Sequence, residues 1–116
     1  MARTSSLSSD LPEWTAVDGE LARSVWDRLS ENARSILVIL MERPGTEHIG
    51  AEIARILKLP YGNQSVHSTL GNPGRLCREA GRTQLWRYRY PTRDRVHYSV
   101  TPIVADLLRR AAGSAV

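Results

Sequence analysis

The strongest constraint on this chain is a change of period near residue 81. Before it, apolar residues recur at spacings of three and four. Beyond it, Leu85, Arg87 and Arg89 alternate with Trp86, Tyr88 and Tyr90, and after Pro91-Thr92-Arg93-Asp94-Arg95 the alternation resumes as Val96-His97-Tyr98-Ser99-Val100. Spacings of three and four fill one face of a helix, whereas period two across a Pro- and Asp-containing turn marks a β-hairpin. The fold class that follows is mainly α with a small β-hairpin. With Trp86, Tyr88 and Tyr90 facing Val96, Tyr98 and Val100 on the inner side, Arg87, Arg89 and His97 face outward together.

The helices can be placed from the same pattern. Leu21, Val25 and Leu29, with Trp26 beside them, give a first helix over residues 19–28. Ser30 is a good N-cap for a second helix to about Arg43, with Glu31 in its positive first turn. Its run Ile36-Leu37-Val38-Ile39-Leu40-Met41 is apolar all round, which predicts a central helix. Thr46 is the expected cap of a third helix carrying Ile49, Ile53, Ile56 and Leu57, and Pro60 limits it to about Lys58. Asn63 is the expected cap of a fourth, with Val66 and Leu70 on its buried side. Pro73 breaks or kinks that helix, although a further turn or two can run to Ala80, and Gly81 stops it. Thr101-Pro102 opens a final helix through Ile103, Val104, Leu107, Leu108 and Ala111. Residues 1–17, Ser-rich over the first dozen, read as a disordered or loosely packed leader from which Leu11, Trp14 and Val17 can pack back, and residues 18–112 as one domain.

At 116 residues the chain has room for one core, and its single cysteine forms no internal disulfide. No apolar run reaches the length of a membrane span, so a cytoplasmic protein is expected. The overall charge of +4 says little, and neither does the use of 15 Arg with one Lys, because G+C-rich codons supply such a skew. Its distribution says more. Residues 1–58 carry net −2, residues 59–116 net +6, and residues 75–95 alone net +5. A basic stretch on a helix and hairpin is the footprint expected for a polyanionic partner.

Ile53-Ala54-x-x-Leu57-Lys58-Leu59, then Ser65-Val66-x-x-x-Leu70, then the Arg-rich hairpin resemble the winged helix-turn-helix family of small bacterial regulators, over residues 30–100. The family usually has Gly where Lys58 stands, and the turn from Leu59 to Val66 is about two residues longer than its compact version. The resemblance implies a recognition helix over residues 63–71, extended to 80, entering the major groove of double-stranded DNA. Asn63, Gln64, Ser65, His67, Ser68 and Arg75 are then the groove-facing set; Gln pairs with adenine and Arg with guanine. Arg78, Arg82, Arg87, Arg89, Arg93 and Arg95 are the wing and backbone set. Four to six phosphate contacts correspond to a log–log salt slope of roughly −4 to −5.

Each of these residues has a plainer reading. Gln64, Ser65, His67 and Ser68 also fit a solvated helix face, and the wing arginines a charged strand that discourages edge pairing. The aromatic stripe is read as core rather than as a base-stacking surface. Cys77 is an inert core thiol by default, and His48, His67 and His97 lack metal-like spacing with it. The broad apolar arc of the final helix, with Trp26, suggests a homodimer through residues 19–28 and 102–112. The expected function is sequence-preferring double-stranded DNA binding in transcriptional regulation or nucleoid association, without enzymatic activity, cofactor or small-molecule ligand. The alternative is a winged-helix protein–protein interaction module within a larger assembly.

Overall fold

The computed structural model describes residues 11–93 and 95–113. The expectation of a disordered leader therefore falls, for residues 1–10, outside the described residues. Among the described residues, five helices and a three-stranded antiparallel sheet are formed: α1 (Gly19–Trp26), α2 (Glu31–Glu42), β1 (His48–Ile49), α3 (Gly50–Leu57), α4 (Asn63–Glu79), β2 (Arg87–Thr92), β3 (Arg95–Ser99) and α5 (Pro102–Gly113). The sheet order is β1-β3-β2, so β3 is central and β2 is an edge.

Local chemistry accounts for most boundaries. Ser30 is extended, and its Oγ accepts the Ala33 N–H at 3.1 Å, capping α2. Thr101 does the same for α5 through Val104 N–H at 3.2 Å, with Pro102 as the first helical residue. At the end of α4, Gly81 takes φ +80°, while Arg82 N–H bonds the Cys77 carbonyl at 3.0 Å and Gly81 N–H the Arg78 carbonyl at 2.9 Å. That pair of bonds is a Schellman stop. The same motif closes α3, where Leu59 N–H reaches the Ala54 carbonyl and Lys58 N–H the Arg55 carbonyl; here the left-handed position is held by Lys58, at φ 58°.

Several expectations are corrected. Thr46 does not cap α3: Ile49 precedes that helix in extended conformation, because His48 and Ile49 pair with Tyr98 and His97 as β1. Asn63 is the first residue of α4 and Gly62 its cap. Pro73 does not break α4, which runs through it. The missing N–H removes one bond of the helical ladder, but Leu70, Pro73, Leu76 and Cys77 are all buried, and that packing sustains the helix on both sides of the proline. Helix α2 is not buried all round, since Val38 is 41% exposed.

The core gathers Ile36, Leu37 and Leu40 of α2, Ile53 of α3, Val66 of α4, Val96 and Val100 of β3 or its end, and Leu107 and Leu108 of α5. Helices α1 and α5 pack on each other. The apolar arc of α5 that suggested a dimer surface is thus largely consumed within the chain: Val104, Leu107, Leu108 and Ala111 are buried, Trp26 is buried, and Ile103 stays out. Trp14 is a core residue. Its indole N–H donates to the Thr83 carbonyl at 2.8 Å, and Thr83 N–H returns a bond to the Pro12 carbonyl, so the segment before α1 is fastened to the loop after α4. Val17 does not pack back.

Candidate nucleic-acid interface

Helix α4 is positioned by its buried side. Val66, Leu70, Pro73 and Cys77 face the core. At 100° per residue, Gln64, His67, Ser68, Gly71, Arg75 and Arg78 then share an outward arc of about 100°. All six are exposed. The side chains of Gln64, His67 and Ser68 make no hydrogen bond among the described residues. Ser65 is half-buried and its Oγ accepts the Tyr61 N–H at 3.0 Å, fixing the helix entry. Asn63 turns inward: its Oδ1 is buried without a partner, close against Gly50. A Cβ on Gly50 would stand 2.1 Å from that oxygen and 3.1 Å from the Tyr98 ring, so a side chain there would displace the Asn63 amide and press on the ring. Of the groove-facing set, Gln64, His67 and Ser68 are free and outward, Ser65 is engaged and Asn63 is withdrawn.

The hairpin pairs as expected, Arg87 with Ser99, Tyr88 with Tyr98 and Arg89 with His97. The register then shifts by one residue before Thr92 meets Arg95. Pro91, which has no N–H to give a ladder, lies within that bulge. Arg87, Arg89 and His97 share one face, but they are not bare. Glu47, in the loop ahead of β1, accepts two bonds from Arg89 and one from His97 Nδ1 at 3.0 Å, and Arg87 donates to Glu13 at 3.0 Å. The Arg89 guanidinium, followed by the His97 contact, holds the Glu47 carboxyl down at about 2.

Two further arginines are also engaged. Arg82 clamps Asp18 with bonds of 3.0 and 2.9 Å from a half-buried position, and Arg75 bonds Glu79 at 2.5 Å and Asn72. Arg82 is therefore a structural residue. Arg78 on α4 and Arg93 and Arg95 at the hairpin tip are exposed and form no ion pair among the described residues.

The aromatic stripe divides. Trp86 is buried, whereas Tyr88 and Tyr90 are each 54% exposed, with ring centroids 6.1 Å apart and planes at 89°. Their strand is the sheet edge and overhangs α4 instead of the core, leaving a groove of about 280 Å³ between helix and hairpin. Cys77 is fully buried, and burial pushes its thiol up to about 12, which makes it a poor nucleophile. Among the described residues there is no group of three or more His, Cys, Asp or Glu that could hold a metal, and no helix is long and apolar enough to cross a membrane.

Residues 19–115 match a family of unknown function, DUF6416, and the chain belongs to that family. No curated protein and no solved structure matches it.

Proposed function

We propose that the chain binds double-stranded DNA through the outward arc of α4, with the hairpin tip as a second contact. The element order from α2 to β3, with sheet order β1-β3-β2, is compatible with a winged-helix layout in which α3 and α4 form the helix-turn-helix and the hairpin forms the wing. The observation that carries the proposal is the arc itself: the side chains of Gln64, His67 and Ser68 point outward without partners among the described residues, and Arg78, which forms no ion pair among them, lies on the same face. Gln64 and Ser68 can exchange hydrogen bonds with base edges, and Arg78, Arg93 and Arg95 can neutralise phosphates. Transcriptional regulation or nucleoid association is the role such binding fits.

Engagement of the other arginines sharpens the salt dependence. The three guanidiniums without an ion pair among the described residues, Arg78, Arg93 and Arg95, correspond to a log–log slope of about −3, at roughly −0.9 per phosphate. If Arg75, Arg87 and Arg89 exchange their carboxylates for phosphates on binding, the slope steepens to about −5. Exposed ion pairs contribute only about 0–1 kcal/mol, so such exchange is cheap. Electrophoretic mobility shift of a duplex across a salt series reads this directly. Salt-sensitive binding supports the proposal; no binding at low salt, or binding indifferent to salt, defeats it. Arg78→Ala weakens all sequences alike and lowers the slope by about 1, whereas Gln64→Ala flattens sequence preference.

A protein–protein interaction module is the second reading, favoured by the exposed Tyr88 and Tyr90 and by the neutralised arginines of the hairpin face. Recovery of the same partner from lysate before and after nuclease treatment, with no duplex binding by the purified chain, would favour it.

A further inference from the structure

We infer that the groove between α4 and the hairpin is a binding site for a single unpaired nucleobase and its phosphate, so that the chain prefers a duplex bearing an unpaired base to a blunt one. This rests on the nucleic-acid reading of α4. The groove is lined by Trp86, Tyr88 and Tyr90 from the hairpin side and by Gly71, Gly74 and Arg78 from α4. Two tyrosines occupy adjacent same-face positions of an edge strand. Here they stay half out of the protein, in an edge-to-face pair. A planar ring stacked on one of them meets the other side-on, the offset geometry aromatic groups prefer.

Size and charge narrow the occupant. Small-molecule pockets generally span about 300–1,000 Å³. At about 280 Å³ this groove suits one ring system. The helix leaves that space by carrying no side chain where one would intrude: a Cβ on Gly71 would meet nothing within 4 Å, and one on Gly74 would only touch Trp86 and the Arg78 guanidinium at 3.7 Å. Arg78 makes no ion pair among the described residues, so the cation at the edge of the aromatic corner is available to an anion attached to the ring. A nucleobase with its own phosphate carries both features, and stacking on tyrosine is tolerant of base identity. The groove also adjoins the outward arc of α4 through His67, so a base displaced from the end of a bound duplex has a short path to it.

The test is fluorescence anisotropy at one low salt concentration with four labelled oligonucleotides sharing a core sequence: blunt duplex, the duplex with a short 3′ tail, the duplex with a 5′ tail, and the better tail made abasic. One tailed duplex is expected to bind about five- to one-hundred-fold tighter than the blunt one, the range that one stacked base provides. The abasic tail, which keeps its phosphates, should lose that gain. Tyr88→Ala, Tyr90→Ala and Gly71→Leu should each bring the tailed-to-blunt ratio towards one, and Tyr88→Phe should retain it. Gly71→Leu fills the groove at an open helical position with a better helix former, so it stays informative if a tyrosine variant misfolds. Equal binding of tailed and blunt duplexes, an abasic tail as good as the intact one, or a ratio that survives all three substitutions would overturn the base site while leaving duplex binding standing. Absence of binding to every oligonucleotide overturns both.

Discussion

Asp18 and Arg82 illustrate at the scale of single residues how a charge ends up inside this protein. The Asp18 carboxylate is nearly enclosed and accepts bonds from the Arg82 guanidinium and from Thr15 N–H at 2.8 Å. Arg82 is the main reason that its pKa falls to about 2 from 3.8, with the Thr15 bond next and burial opposing. Because the folded value lies below the unfolded one, the unfolded chain takes up the proton first as pH drops. Stability from this pair is complete above about pH 5 and lost as pH falls towards 2, an amount on the order of 2 kcal/mol. Urea denaturation at a series of pH values should show an acid limb that is steeper in the wild type than in Asp18→Asn, the difference isolating this pair from other carboxylates. The arginine count showed nothing of this. Partners of Arg89, Arg82 and Arg87 lie 42, 64 and 74 residues away in the chain, so no local pattern reveals which guanidiniums are spoken for. Gln64, His67 and Ser68 were legible because the phase of one helix fixes them once Val66 and Leu70 are known to be buried.

Among the elements, the helix ends followed local chemistry, and the exceptions have identifiable causes. Lys58 occupies a left-handed position at the end of α3 with a non-glycine side chain. That conformation costs an L-residue roughly 1–2 kcal/mol, part of which glycine gives back through its greater unfolded-state freedom. Lys58→Gly should therefore raise stability by about 0.5–1 kcal/mol, read as a higher urea midpoint at unchanged m value. An unchanged or lower midpoint would show that the lysine stem contributes packing that outweighs the strain. The two-residue strand β1 was not legible, since two residues carry no period and their pairing partner lies in β3. The two faces of the hairpin were legible from alternation, but its register, the bulge near Pro91 and the exposure of Tyr88 and Tyr90 were not. Alternation says which residues share a face, and it does not say whether that face meets core or solvent.

For the whole molecule, the joining of distant segments is what closes the core. Trp14 precedes all the helices, yet it is 5% exposed and bonded to the loop between α4 and β2. Trp14→Ala should cost about 3–5 kcal/mol, by removal of a large buried ring, and a chemical denaturation curve measures it. A loss below about 1 kcal/mol would mean that the 11–14 segment is dispensable packing. Periodicity, caps and turn residues alone determined the number and order of the long helices, the hairpin and the outward face of α4, because these depend on interactions within a few residues. Tertiary structure alone decided which arginines remain unpaired, how the apolar face of α5 is covered, and that two tyrosines of an edge strand overhang an open groove. Those outcomes depend on carboxylates and surfaces brought together from far along the chain, and such proximity exists only after the chain has folded.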